Sequence, residues 1–145
     1  MKKRIDIQKT EPAAYKPMMA LEQYLHSTQV TPTQMELIKI RASQINGCAF
    51  CLNMHTKDAL AKGETSQRIF LLNAWREAEE LYTAEEQVIL AITEEVTLIS
   101  QHGLSEETYK KAEILFNEAY IAQIIMAVIT INAWNRIAIS THKPI

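Results

Sequence analysis

The spacing of the apolar residues is the feature that most constrains the fold of this 145-residue chain. Apolar side chains recur at intervals of three and four residues along nearly the whole sequence, and no stretch alternates apolar and polar residues for long. Three glycines and four prolines are few for this length, so little interrupts the helical pattern. The pattern predicts an all-α fold of about six to seven helices.

Capping signals mark where these helices begin and end. Thr31, Pro32 and Gln34 supply an N-cap, a proline at the first helical position and a capping-box partner, so we expect a helix to begin there. Gly47 can end that helix in a left-handed conformation, and Cys48 then begins the next one. A further helix is expected to follow Thr83 and reach His102. The other expected boundary residues are Pro17, Gly63, Thr65 or Ser66, Ser105 and Asn117.

The bulk properties limit the number of domains and the classes of partner. A chain of 145 residues suits one domain, residues 1–145, which can bury a core without disulfide support. The formal net charge is −2, and charges of both signs are scattered along the chain. Such a charge pattern provides no basic field, so we expect neither a nucleic acid nor a membrane as partner.

Two further segments bear on localisation. Residues 2–4 are basic, but charged residues follow within 5–11, where a signal peptide requires an apolar region, so we expect a cytoplasmic protein. The most apolar segment, 121–139, contains polar side chains and is predicted to be a buried or interface helix rather than a membrane span. Its polar groups need partners if they are buried, so they should hold a neighbouring helix or a subunit contact. They include Asn132, Asn135 and Arg136.

The only two cysteines, Cys48 and Cys51, are three residues apart. On a helix their Cα atoms would lie roughly 5 to 6 Å apart, a distance that a disulfide accepts. His55 follows Cys51 by four residues and shares its helix face, so the imidazole can take the proton of that thiol. A helix start instead favours the thiolate of Cys48. These two arguments leave the identity of the nucleophile open.

Other interpretations compete with a redox pair. Cysteines on a helix are often inert core residues. Zinc could bind Cys48, Cys51 and His55, but a structural zinc site needs a fourth ligand, and the other histidines lie in separate segments. Glu36 could be an ordinary carboxylate in the first turn of a helix. Because cytosolic thiols are kept reduced, a close pair in that compartment is more typical of catalysis, redox sensing or metal binding than of structural support.

Glu36 precedes Cys48 by twelve positions, and the complete pattern is Glu-x11-Cys-x-x-Cys-x-x-x-His. This pattern resembles the active-site signature of the AhpD-like alkylhydroperoxidases, which are related to carboxymuconolactone decarboxylases. The residues at 37–41, 53–59 and 132–136 also resemble a small single-domain branch of that family. The resemblance implies a compact AhpD-like helical domain that assembles as a homo-oligomer, as a dimer, trimer or hexamer.

The resemblance also implies an activity and assigns roles. Cys51 would attack a hydroperoxide and Cys48 would close the disulfide, while His55 and Glu36 relay the proton. The implied protein is an oxidoreductase, a thiol-dependent peroxidase with antioxidant function. It would bind no cofactor or metal and would be reduced by an external dithiol of lipoyl or thioredoxin-like type. The alternatives are a redox-sensing or interaction protein with slow turnover, and a decarboxylase-like enzyme.

Phe50 is a departure from the family pattern. In hydroperoxidases of this family a histidine often stands immediately before the second cysteine, where this chain has Phe50. Phenylalanine can neither relay a proton nor donate a hydrogen bond. The departure predicts less efficient peroxide turnover and a more apolar approach to the thiols, but it leaves dithiol chemistry possible.

Overall fold

A computed structural model describes residues 4–145, which contain eight α-helices, two short 3-10 helices and no strand. The predicted all-α class is confirmed. The helix count is one above the predicted range, and the four-residue helix α1 has no buried residue that periodicity could have revealed. Lys2 and Lys3, which entered the signal-peptide argument, lie outside the described residues. The α-helices are α1 (Ile7–Thr10), α2 (Pro12–His26), α3 (Pro32–Asn46), α4 (Ala49–Ala61), α5 (Ser66–Leu71), α6 (Ala84–Thr97), α7 (Glu106–Leu115) and α8 (Glu118–Thr141).

Side-chain caps start the helices as the sequence predicts. The Thr31 hydroxyl accepts a hydrogen bond from the backbone of Gln34, and the Gln34 side chain accepts one from the Thr31 backbone. Thr83 and Glu86 form the same reciprocal box at the start of α6. Each box satisfies backbone N–H groups that the first helical turn leaves without partners. The remaining predicted N-caps are confirmed at Thr65, Ser105 and Asn117.

Two predicted boundaries are wrong. Pro17 lies inside α2 rather than at its start, because Pro12 already occupies the first helical turn. Helix α6 ends at Thr97 and does not reach His102. The residues that follow Thr97 make little contact with the core, and Ile99 among them is 60% exposed. Packing supplies most of a helix's stability in a protein, so nothing there supports another turn.

Helix α3 is the centre of the fold because both of its sides are buried. Ile38 and Ala42 pack into a cluster shared with α6 and α8. Leu37 and Ile40 pack into a second cluster with the 3-10 segment Leu72–Glu77 and with α4. This double burial also encloses the polar residues of α3 that face the functional site, so any charge among them needs a partner.

Helix α8 has the length and apolar composition of a membrane-spanning helix. In this structure it instead packs against α3 and α6 as a core helix. Ile124 and Val128 are completely buried there, together with Thr130 and Asn135. The expectation of a buried helix at 121–139 agrees with this arrangement.

Asparagine side chains connect the end of α3 to α8. Asn46 Nδ2 donates to Asn132 Oδ1 at 2.9 Å and to Asn135 Oδ1 at 2.8 Å. Asn135 Nδ2 donates to Ser43 Oγ, and Asn132 Nδ2 donates to Thr97 Oγ1, both at 3.0 Å. Because these groups satisfy one another, they fix the last turn of α3 against α8. Of the two roles expected for these asparagines, the structure shows the contact with a neighbouring helix.

Candidate active site

The turn between α3 and α4 places both cysteines beside α3. Gly47 adopts φ +69°, a left-handed conformation that glycine takes without strain. Cys48 is the N-cap of α4, so it lies one position before the first helical turn, where we expected it. Its sulfur accepts a hydrogen bond from the backbone nitrogen of Cys51 at 3.3 Å. The two cysteines are joined in a disulfide, with Cα atoms 5.3 Å apart as the spacing predicts.

Glu36 and His55 meet across the α3–α4 contact. His55 Nδ1 lies 3.0 Å from Glu36 Oε2, and Lys62 Nζ donates to Glu36 Oε1 at 2.5 Å. Only 3% of Glu36 and 6% of His55 are exposed. The carboxylate therefore holds two partners in a largely water-free position, where hydrogen bonds to a charged group are strong.

The ionisation of Glu36 determines the tautomer of His55. Burial alone would raise the pKa of the Glu36 carboxyl, but the hydrogen bonds from His55 and Lys62 outweigh it and hold that pKa below its ordinary value. The carboxylate can then only accept, so Nδ1 of His55 must carry the hydrogen that it shares with Glu36. In the neutral imidazole this leaves Nε2 as an acceptor for another proton.

A cavity of about 340 Å³ brings the predicted residues together, and we call it the thiol cavity. Cys51, His55 and Glu36 line it, whereas Cys48 does not. Much of the remaining wall is apolar, so the cavity suits a molecule with a hydrocarbon portion. The apolar wall residues are Met19, Phe50, Met54, Trp134, Ile137 and Ala138.

A partly buried ion pair at the cavity wall was not anticipated from the sequence. Lys39 pairs with Glu22, and the second oxygen of Glu22 accepts a hydrogen bond from Trp134 Nε1 at 3.1 Å. These contacts join α2, α3 and α8 around the cavity. Lys39 stands three positions after Glu36, which places both on one helix face and could have indicated a shared site. Glu22 comes from a separate helix and carries no such local signal.

Lys62 is the other site residue that the sequence analysis missed. It follows His55 by seven positions, two helical turns, and caps the end of α4, so this spacing was an available signal. Its ammonium group lies on one oxygen of Glu36 while His55 lies on the other. The carboxylate therefore links His55 and Lys62 to α3.

The residues that could bind a metal ion in the structure differ from the set considered in the sequence, which was Cys48, Cys51 and His55. Glu36, His55 and Asp58 offer ligand atoms within 4.8 Å of one another. However, Lys62 already occupies one oxygen of Glu36, and a cation would have to displace it. The sulfurs of Cys48 and Cys51 are bonded to each other and cannot serve as thiolate ligands in this state.

Phe50 packs against both cysteines and Ala138. The Nζ of Lys143 lies 4.6 Å from the centre of its ring, within the range of a cation–π contact. The position that often carries a histidine in AhpD-like hydroperoxidases is therefore an apolar wall with a cation above it.

Comparison with known proteins identifies the family of this chain. The model of the carboxymuconolactone decarboxylase family matches residues 12–95, more than half of the chain. The chain belongs to the carboxymuconolactone decarboxylase family. The resemblance noted in the sequence is thereby confirmed, and membership in this family associates the chain with enzymes.

Two similar proteins match this family member over nearly its whole length. The uncharacterised protein YdfG of Bacillus subtilis (strain 168) is 40% identical over 140 residues, which cover 97% of this chain and 95% of YdfG. A protein of unknown function from Agrobacterium tumefaciens, for which the role of an AhpD antioxidant defence protein is suggested, has a crystal structure with TM-score 0.94. It is 38% identical, and the match covers 99% of this chain and 97% of that one.

A more distant structure shows the fold alone. An uncharacterised peroxidase-related protein from Silicibacter sp. TM1040 superposes with TM-score 0.78 at 23% identity, covering 91% of this chain and 70% of that one. Together the comparisons show that this family member has the AhpD-like helical fold.

Proposed function

We propose that this protein is a thiol-dependent peroxidase of the alkyl hydroperoxide reductase type. The observation that carries the proposal is the convergence of Cys51 with the Glu36–His55 pair in one cavity. A nucleophile, a base and a group that orients the base are the parts required for thiol activation.

The roles of the four residues follow from their chemistry. In the reduced protein, His55 Nε2 takes the proton of the Cys51 thiol, and the thiolate attacks the distal oxygen of a hydroperoxide. The O–O bond breaks, leaving a sulfenic acid on Cys51, and the leaving alkoxide takes the proton from His55 to become an alcohol. Glu36 stabilises the imidazolium while it exists.

Cys48 completes the oxidative half of the cycle. Its sulfur attacks the sulfur of the Cys51 sulfenic acid, the hydroxyl leaves as water, and a disulfide forms. The short Cα–Cα distance of 5.3 Å supports this step because the two sulfurs can bond without displacement of α4. The resulting disulfide is the state that the structure describes.

The apolar wall of the thiol cavity favours an organic hydroperoxide over hydrogen peroxide as substrate. We further propose a cytoplasmic antioxidant protein that binds no cofactor, works as a homo-oligomer and is reduced by a lipoyl-type or thioredoxin-like dithiol. The low net charge and the family membership support this assignment.

A redox sensor is the second candidate. Only 1% of Cys48 and 2% of Cys51 are exposed, and such burial slows exchange with external thiols. A sensor would undergo one oxidation by peroxide with little subsequent turnover.

Peroxide consumption in the presence of a dithiol separates the two candidates. The assay uses cumene hydroperoxide with excess dihydrolipoamide, and the control is the Cys51→Ser variant. We expect many turnovers per wild-type subunit and none in the variant. A wild-type protein that consumes one equivalent and stops would support the sensor, and equal consumption by the variant would refute a role for Cys51.

A further inference from the structure

The disulfide lies between two separate openings. Cys51 lines the thiol cavity, whereas Cys48 lines a second groove of about 490 Å³ on its other side. We call this the tail groove. It lies between the start of α4 and the residues that end α8 and follow it. Cys48, Ala49 and Phe50 form one side, and Ile139, His142 and Lys143 form the other.

The two openings share part of their lining, which is formed by Phe50, Ala138 and Lys143. Phe50 and Lys143 line both the thiol cavity and the tail groove, and the Lys143 ammonium lies over the Phe50 ring. The Phe50 ring packs against both cysteines. Because Cys51 lines only the thiol cavity and Cys48 lines only the tail groove, each cysteine is reached through its own opening.

The charges of the two openings differ. The thiol cavity is lined by three carboxylates, Glu22, Glu36 and Asp58, and by three lysines, Lys39, Lys62 and Lys143, so these charges balance. The residues that line the tail groove, all within the described range, include Lys143 and no Asp or Glu side chain. An attacking thiolate is an anion, and it should favour the groove, where Lys143 meets no Asp or Glu side chain, over the cavity, where carboxylates offset the lysines.

An unpartnered nitrogen provides a second reason. Among the residues 4–145, His142 Nδ1 is the one buried side-chain nitrogen or oxygen without a hydrogen-bond partner. His142 lines the tail groove. Leaving such an atom unpaired is costly. An entering dithiol could pair with it, because a thiol S–H can donate to an Nδ1 without hydrogen and a thiolate can accept from an Nδ1 that carries one.

We propose that the reducing dithiol enters through the tail groove and attacks Cys48, while the peroxide enters through the thiol cavity and is attacked by Cys51. This inference rests on the proposed function and adds the route of the reductant. The occupant of the tail groove is the thiol-bearing arm of the reductant. This arm must be slender, because Cys48 is only 1% exposed.

The exchange chemistry is consistent with attack at Cys48. A thiolate of the dithiol bonds to Cys48 Sγ, the Cys48–Cys51 bond breaks, and Cys51 leaves as a thiolate on the side of His55, which is the form that attacks the next peroxide. The second thiolate of the reductant then attacks the reductant's own sulfur in the mixed disulfide. Cys48 leaves as a thiolate at the start of α4, where helix N–H groups stabilise an anion. The dithiol ends as a disulfide and both cysteines are reduced.

Two matched substitutions test the separate routes. Ile139 in the tail groove is 42% exposed and Met54 in the thiol cavity is 40% exposed, and both lie on helices, so a tryptophan at either place should be tolerated. Two half-reactions are timed by acid quench, alkylation and mass spectrometry. One is oxidation of the reduced protein by cumene hydroperoxide. The other is reduction of the disulfide protein by dihydrolipoamide.

The expected result is a crossed pattern. Ile139→Trp should slow reduction about tenfold and leave oxidation unchanged, while Met54→Trp should slow oxidation and leave reduction unchanged, because exchange depends on access to the attacked sulfur. The proposal that reductant and peroxide use different openings would be contradicted by a normal rate of reduction in Ile139→Trp. It would also be contradicted if Met54→Trp slowed both half-reactions.

Charge substitutions at the same position provide a second test. With dithiothreitol as reductant at low salt, Ile139→Glu should slow reduction and Ile139→Lys should accelerate it, each by about two- to fivefold, and the difference should shrink at 1 M salt. Equal rates would contradict entry of a thiolate beside Ile139. If peroxide fails to oxidise the wild type, the proposed function fails, but the disulfide can be formed with diamide and both reduction tests still decide the route.

Discussion

Replacing Glu36 with glutamine should reverse the tautomer of His55. Lys62 can only donate, so it should take the oxygen of the new amide and turn the NH2 group toward His55. Nδ1 must then accept, and the hydrogen of the ring moves to Nε2. An Nε2 that carries hydrogen cannot take the proton of Cys51. The substitution preserves shape while disabling the base.

The size of the effect follows from the thiol. A few per cent of free cysteine is thiolate at pH 7 without any base, so complete loss of activation should slow peroxide attack by about 10²-fold at most. This is the lower end of the range for a positioned proton-transfer group. Stability should fall by only about 1 to 2 kcal/mol, since the hydrogen bond with His55 becomes a neutral one and that with Lys62, which is partly exposed to solvent, loses only its negative partner.

The assay is single-turnover oxidation of the reduced protein by cumene hydroperoxide at pH 7, with circular dichroism as the check of folding. The double variant Glu36→Gln with Lys62→Met is the matched control. Without Lys62 the amide can rotate, present its oxygen to His55 and restore the original tautomer, so part of the lost rate should return. A normal rate in Glu36→Gln, or a double variant slower than the single one, would refute the tautomer argument.

Three further predictions test other parts of the account. Phe50→His should raise peroxide turnover, because it adds a titratable group beside Cys51, and an unchanged steady-state rate would show that this position does not limit turnover. The pKa of Glu36 is lower in the folded protein than its ordinary value near 4.5. The ionised carboxylate therefore stabilises the fold above about pH 4.5, and this stabilisation is lost as the pH falls through the pKa of the folded state. Urea unfolding below about pH 4.5 should therefore show a steeper loss of stability in the wild type than in Glu36→Gln, and parallel curves would contradict the lowered pKa. Light scattering should show a homo-oligomer at micromolar concentration, and a monomer would oppose that proposal.

Local signals in the sequence anticipated the elements that local physics controls. The capping boxes at Thr31 and Thr83, the left-handed Gly47 and the spacing of the two cysteines depend on residues a few positions apart. The same holds for His55, which shares a helix with Cys51. Such interactions operate within one or two helical turns, so the sequence displays them directly.

Features that depend on packing between distant segments were not accessible in this way. Glu22 meets Lys39 and Trp134 only because α2, α3 and α8 converge, and nothing near Glu22 in the sequence indicates it. The early end of α6 likewise depends on which residues find core contacts. The second opening at Cys48 forms where α4 begins beside the end of α8, two segments about ninety residues apart.

The most direct test of the account is the location of the first oxidation. Cys48→Ser protein is treated with one equivalent of cumene hydroperoxide in the presence of dimedone and analysed by peptide mass spectrometry. The account predicts a dimedone adduct on Cys51, because the thiolate next to His55 is oxidised and no partner remains to form the disulfide. The reciprocal Cys51→Ser protein should acquire none. An unmodified Cys51 in the first variant, or an adduct on Cys48 in the second, would contradict the assignment of Cys51 as the peroxide-reactive thiol.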